Sequence, residues 1–559
     1  MSHIRNSIVL LLALIFTACA GTPGQRDEVT ISIIGTNDVH GALTPDDRVG
    51  GIVAVSAYLD ALRQARAVDG GAVLMIDAGD MWQGTLESNL VEGAAVVEAY
   101  NAMGVTAAAI GNHEFDFGPE GANAIPIEDG EDPRGNLKQR AREADFPLLA
   151  ANLIDDATGK PVAWDNVQPS IMVEAAGIKI GIVGVMTSNA LVTTIAANTR
   201  DLSIAPLAET ITAEAQRLRE DGALLVVVAA HAGGYCADFS DRNDPSSCDM
   251  SAEIMRVANR LEPGLVDYII AGHKHNPIAH IVNGTPITSN YSNSYSFGRV
   301  DFRIDPENQR VVSRQVFSPQ QTAPGTHASY EGFPLVINPE VERVAQTASA
   351  RANALKQQKL GVTLTGPFEI VPDIESAISN LMTEAMLDSF DADVAIHNVF
   401  GGLRSSLPAG DLTYGAVFQM FPFDNIVTIH EVSGADLRQV IARNAHQRRK
   451  PGFAGMRVFV SCDGGQMNVD MQRNDGRKIS DDDQVRVIAN DFLALGGDDI
   501  LTPAFRDGDF ELRYDMPLAR DALVDWFRAG PDTLAPEDFR SHAAPKWNVP
   551  DIIPESCQY

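Results

Sequence analysis

Asp38 and His40 stand two residues apart in "GTNDVHG", just after an apolar run. Asp80 closes "MIDAGD", and Asn112 and His113 follow "AAAIG". His231 follows "LLVVVAA", and His273 and His275 close "IIAGHKH". Each cluster by itself reads as a turn or a hydrogen-bonded surface residue. Together, five separate strand ends deliver imidazole, carboxylate and amide oxygen without thiolate. That donor set suits Zn, Mn, Fe or Co rather than calcium or a closed structural zinc site. Asp38, His40, Asp80, Asn112, His231, His273 and His275 exceed the needs of one ion. Two divalent ions bridged by one carboxylate fit better, and such a pair suits phosphate-ester hydrolysis. In an extended segment residues two apart point the same way, so Asp38 and His40 are expected to reach one ion from extended chain.

The elements that must position these groups repeat one pattern. A short β-branched run ends in a small residue and a polar cluster follows, as in "VTISIIGTNDVHG", "AVLMIDAGDMWQG" and "ALLVVVAAHAGG". Continuous apolar runs of this length suit strands buried on both faces. Helical stretches starting near Gly50 and Leu207 lie between some of them. The alternation predicts a layered α/β domain whose loops at the strand ends carry the ligands. The character changes near residue 338. Asn338 is placed as an N-cap, Pro339 as the first helical residue, and Val341, Val344, Ala348, Ala352 and Leu355 fall near helical spacing. Gly361 is expected to end this helix, which reads as a connector between two domains. The remainder mixes strands such as "NIVTIHEV" with helices such as "GADLRQVIARNA".

The chain has 559 residues, 45% of them apolar, which is room for two to four domains of ~100–200 residues. A formal net charge of −31 argues against binding a nucleic-acid polymer. An anionic substrate then needs a metal ion or an arginine to reverse the local field. At the N-terminus Arg5 precedes an apolar run over 8–16, too short to span a hydrocarbon core ~30 Å thick and shaped like an export signal. Thr17, Ala18 and Cys19 are similar to a bacterial lipobox, which makes 1–19 a signal segment with Cys19 lipidated; the alternative is an ordinary secretory signal cut nearby. Both place the mature chain outside the cytoplasm, in the periplasm or at the outer membrane, touching a membrane only through a lipid anchor. Four cysteines remain. Cys236 and Cys248 flank a polar loop and are expected to form a disulfide, which leaves Cys462 and Cys557 as the other pair.

"TNDVHG", "DAGDMWQG", "GNHEFDFG", "HAGG" and "AGHKH", in this order, resemble the calcineurin-like metallophosphoesterases. More narrowly they resemble the exported 5′-nucleotidase family, and the resemblance extends over nearly the whole mature chain. It implies an α/β (α+β) fold: a four-layer α/β/β/α phosphoesterase domain at 28–335, a linker helix at 338–360 that accommodates domain rotation, and a smaller mixed α/β nucleotide-binding domain at 362–550. It implies that Asp38, His40, Asp80 and His275 hold one divalent ion and that Asp80, Asn112, His231 and His273 hold the other. His113 is implied to face the phosphate as a non-ligand, oriented by Asp116, while Glu114 is structural. Phe423 and Phe492 are implied to sandwich the nucleobase, Asp498 to bond ribose hydroxyls, and Arg404 to meet phosphate or ribose.

Three departures stand against the family pattern. Val399 occupies the place of the Asn in Asn-x-Gly-Gly-(Ile/Leu)-Arg, with Asn398 one residue too far from Arg404. No arginine occurs from Ala352 to Leu403, where the family usually carries one near the position of Glu375. Lys274 separates the two histidines and is expected to be solvated. The activity implied is hydrolysis of nucleoside 5′-monophosphates, with UDP-sugars as further substrates, for nucleotide salvage. A 2′,3′-cyclic phosphodiesterase with 3′-nucleotidase activity shares the architecture, and a surface lipoprotein that binds nucleotides without catalysis is the reading from another class.

Overall fold

The computed structural model describes residues 28–559 other than 47, 122, 372–374, 448–449, 503, 505–515, 541–544, 551–552, 555 and 558. The signal segment at 1–19, with Cys19, lies outside the described residues.

The strand Val29–Thr36 alternates strictly: Ile31 and Ile33 point into one apolar cluster, and Ile34 points into another. Ala72–Asp77 does the same, with Leu74 and Ile76 against Met75. Leu225–His231 repeats it, with Leu225, Val227 and Ala229 against Val226, Val228 and Ala230. This is why these strands read as continuous apolar runs: both faces are buried, so neither can be polar. The cluster shared by all three lies between two sheets. The first sheet has Val29–Thr36, Ala72–Asp77 and Ala107–Ala109 side by side and parallel. The second has Ile178–Met186, Leu225–His231 and Tyr268–Ala271 side by side and parallel. Helices Gly51–Asp69 and Ala94–Met103 cover the outside of the first sheet. Leu207–Glu220 and Glu253–Arg260 cover the second. The result is the four-layer α/β/β/α order. Because these three strands of each sheet run parallel, their C-terminal ends emerge together.

Asn338 caps the next helix, Pro339–Lys356, with Oδ1 accepting from Glu340 N at 3.1 Å and Val341 N at 3.4 Å. This helix is shorter than the sequence pattern suggests. It ends at Lys356, and Gly361, with φ of 90°, lies inside the strand Lys359–Leu364 at an irregularity in its pairing. The positive φ that favours glycine serves a strand irregularity here, not a helix cap. The helix is docked rather than free: Val341, Val344, Ala345 and Ala348 belong to the first-sheet helical cluster, and Ala352 meets Leu86 and Phe418.

Beyond it, a four-stranded sheet pairs Val427–Ser433, Gln484–Asn490, Val394–His397 and Gly452–Ala454. Helices Ala377–Ser389 and Ala519–Ala529 share one apolar cluster with it, and Gly434–Ala445 shares another. Cys236 is bonded to Cys248, and Cys462 is bonded to Cys557, so the second pair forms as well as the first. Among the described residues no helix is long and apolar enough to cross a membrane.

Candidate metal centre and substrate pocket

The five strand ends deliver their side chains to one place. Asp38, His40 and His275 bring ligand atoms within 4.8 Å of one another, and so do Asp80, His231 and His273. The route differs from the extended-chain expectation. Asp38, His40, Asp80, His273 and His275 have φ of 49°, 50°, 59°, 71° and 53°. A left-handed residue turns the chain sharply, so the ligand pairs converge by turning back at the strand ends, not by lying on one face of extended chain. Non-glycine residues held in this region are strained and must be over-determined by their surroundings. Here the surroundings are main-chain bonds: Asp38 N to Gly79 O at 2.9 Å and His40 N to Asp80 O at 3.0 Å.

Backbone carbonyls fix the ring orientation of two histidines. His40 donates from Nδ1 to the Gln83 carbonyl at 2.8 Å, and His231 donates from Nδ1 to the Ala78 carbonyl at 2.8 Å. Each Nε2 is thereby the nitrogen turned toward its cluster. His231 Nε2 lies 3.0 Å from Asn112 Oδ1 and 3.1 Å from Asp80 Oδ2, and His273 Nδ1 lies 3.1 Å from the same Asn112 oxygen. The Asn112 amide is oriented this way because its Nδ2 donates to Thr193 O at 2.9 Å. His40 Nε2 faces His275 Nε2 at 3.0 Å, and His275 Nε2 is 3.3 Å from Asp38 Oδ1. Electron-pair donors crowded at these distances repel one another unless a cation lies among them, so both clusters fit divalent ions. The electrostatics carry the same demand. Burial alone lowers the His231 pKa, yet the Asp80 carboxylate overrides it and lifts the imidazole to about 10. Burial and the His275 imidazole press His40 down to about 3, which keeps it neutral.

His113 stands apart from both clusters. Its Nδ1 donates to Asp116 Oδ2 at 2.6 Å, and its Nε2 accepts from Arg404 Nη2 at 2.8 Å. Asp116 is steadied by Thr194 Oγ1 at 2.9 Å. Burial alone lowers the His113 pKa, but Asp116 and Asp80 outweigh it and raise it above the ordinary value. Glu114 touches neither cluster with its side chain. It accepts from Asp80 N at 2.8 Å, Met81 N at 2.7 Å and Gly111 N at 2.7 Å, and so ties two strand-end loops together.

A cavity of about 1030 Å³ joins this centre to the C-terminal half; Arg404, Phe423, Phe492 and Asp498 line it opposite Asn112 and His113. The Arg404 guanidinium lies 5.1 Å from the Phe423 ring centroid, and the Phe423 and His113 centroids are 5.8 Å apart. Lys274 also lines the cavity, and among the described residues its ammonium has no hydrogen-bond or ion-pair partner. The displaced Asn398 precedes a helical turn, Val399–Gly402, without a side-chain cap bond to it, and its Nδ2 donates to Asp498 Oδ2 at 2.7 Å. Sequence reasoning left Asn398 aside as a spacing defect. It also missed Thr194 and the Gln83 carbonyl. Asn398 had a signal in its nearness to the glycine pair; the other two had none.

The family model for the calcineurin-like phosphoesterase matches residues 31–277, and that for the 5′-nucleotidase C-terminal domain matches residues 361–507. The chain carries a calcineurin-like phosphoesterase domain followed by a 5′-nucleotidase C-terminal domain. It is similar to Protein UshA of Yersinia enterocolitica, 26% identical over 88% of this chain and 92% of that protein. It is also similar to the 5′-nucleotidase of Vibrio cholerae, 25% identical over 86% of this chain and 88% of that one. Its fold is that of the crystal structure of a 5′-nucleotidase precursor from Thermus thermophilus, with a TM-score of 0.71 at 21% identity over 94% of this chain and 100% of that chain. The chain is a phosphoric monoester hydrolase of a family built on a dinuclear divalent metal centre.

Proposed function

We propose that the chain hydrolyses nucleoside 5′-monophosphates to nucleoside and phosphate, with UDP-sugars among its further substrates, outside the cytoplasm and for nucleotide salvage. One observation carries this reading: Asp80, His273 and His275 from the two ligand clusters share a single cavity with His113, Phe423, Phe492 and Asp498. A phosphate site alone serves any ester, whereas aromatic rings in the same cavity select a planar base.

Asp38, His40, Asp80 and His275 hold one ion in this reading, and Asp80, Asn112, His231 and His273 hold the other. The bound pair supplies Lewis acidity toward the phosphate ester. Arg404 donates to the phosphate oxygens from the opposite wall. Water attacks phosphorus as the P–O bond to the ribose breaks, and His113 in its imidazolium form gives its Nε2 proton to the leaving ribose oxygen, with a proton from the attacking water restoring it. Asp116 holds Nδ1–H and stabilises the imidazolium that this step needs. Phe423 and Phe492 stack on the base, and Asp498, held by Asn398, meets the ribose. The signal-like segment at 1–19 and two disulfides support action in an oxidising compartment.

Comparing hydrolysis of AMP, 3′-AMP and 2′,3′-cyclic AMP by the metal-loaded protein tests the reading. AMP is expected to be the best of the three. A rate on AMP far below the other two overturns it in favour of the cyclic phosphodiesterase. No phosphate from any of them, with no bound transition metal, leaves a nucleotide-binding lipoprotein.

A further inference from the structure

The carbonyl oxygen of Pro422, next to Phe423, accepts two side-chain amides from the other half of the chain. Gln83 Nε2 donates at 3.0 Å and Asn89 Nδ2 at 3.1 Å. Gln83 is 2% exposed, and its own backbone carbonyl is the acceptor that orients His40. Asn89 is fixed in turn by its Oδ1, which accepts from Gly84 N at 2.9 Å. A third tie leaves the same segment: the buried Glu87 pairs with Lys356 at the end of the Pro339–Lys356 helix. Residues 83–89 thus hold a metal-side imidazole with main chain and the Phe423 loop with side chains. Both residues line the cavity, and neither amide bonds to a residue of the ligand clusters.

We infer that Gln83 and Asn89 are positioning residues that set the span between the phosphate end and the base end of the cavity. The inference rests on the nucleotide reading above. A nucleotide must satisfy both ends at once, whereas adenosine and inorganic phosphate satisfy one each. For a ligand that spans two subsites, the second contact is intramolecular and depends on how the subsites are spaced. Freeing the Pro422 carbonyl therefore penalises the spanning substrate more than either half.

The test uses the full metal-loaded protein, with Gln83→Leu, Asn89→Leu and the double variant. Kinetics on AMP give kcat/KM, and competition gives Ki for adenosine and for inorganic phosphate. Each single substitution leaves one amide on the carbonyl and is expected to lower kcat/KM about threefold; the double is expected to lower it about tenfold or more. That loss is expected to exceed any change in either Ki by a similar factor. Metal content is expected to stay, because His40 bonds to the Gln83 main chain. A Ki change that matches the kcat/KM loss, or no loss at all, overturns the inference and leaves the nucleotide reading standing. A wild-type protein that releases no phosphate from AMP overturns that reading instead. If the double variant does not fold, the single variants decide by the same comparison.

Discussion

At the scale of the residue, His113 and Asp80 carry opposite expectations although they lie in adjoining loops. His113 has both ring nitrogens committed outside the ligand clusters, to Asp116 and Arg404. His113→Ala is expected to cut kcat by about 10²–10⁴, the range for a removed general acid, while metal content stays at the wild-type level. Metal analysis beside phosphate release checks this, and a loss of metal would make His113 a ligand. Asp80 belongs to the His231 and His273 cluster, with Oδ2 against His231 and Oδ1 accepting from His113 N at 2.9 Å, and the proposed reading has it bridge both ions. Asp80→Ala is expected to lose both ions. His275→Ala is expected to lose mainly the ion of the Asp38 cluster, so elemental analysis distinguishes the bridging residue from the terminal one.

At the scale of the element, the helical turn Asp491–Ala494 that follows Gln484–Asn490 holds both Phe492 and a buried acid. Asp491 Oδ1 accepts from Asn425 Nδ2 at 2.8 Å and from Phe492 N at 2.9 Å, while its other oxygen has no hydrogen-bond partner among the described residues. Burial pushes its carboxyl up to about 7. The unfolded chain releases that proton near pH ~4. The folded chain therefore binds more protons between these values, and stability from this group is complete below pH ~4, falls as pH rises and is gone above about 7. Asp491→Asn is expected to flatten that part of the profile, as read by urea unfolding across pH. A wild-type stability that does not decline over this interval contradicts the assignment. The residues just after this turn show why glycine matters at a close approach: a Cβ on Gly497 falls 2.5 Å from the Phe492 ring. Gly111 plays this part on the metal side, where a Cβ falls 2.3 Å from Asp80 Oδ1.

At the scale of the molecule, two separately cored halves meet at one cavity. The strand Met456–Asp463 and the chain terminus are joined by Cys462 and Cys557, 95 residues apart. Closing a loop of that length removes entropy from the unfolded chain worth about 4.7 kcal/mol. Replacing both cysteines by serine is expected to lower the unfolding midpoint of the C-terminal half and to leave metal binding intact, checked by denaturation beside elemental analysis. Equal loss in both halves would show that the halves unfold together.

The sequence by itself determined the strands and the ligand types. Both-face burial forces continuous apolar runs, so Val29–Thr36 and Leu225–His231 declare themselves, and the polar clusters after them stand out by contrast. Asp38, His40 and Asp80 were legible for that reason, as were Phe423 and Phe492 through resemblance. What only the tertiary structure decided is how these groups are aimed. His273 and His275 both have positive φ and send their side chains into different clusters, a split that the family resemblance implied but residue type and spacing alone did not. Backbone torsion of that kind is set by contacts with distant loops and leaves no mark in residue type. The Gln83 carbonyl under His40 and the Pro422 carbonyl under Gln83 belong to the same class. Every residue but proline carries the same amide, and every residue carries the same carbonyl, so main-chain partners are chosen by the fold alone.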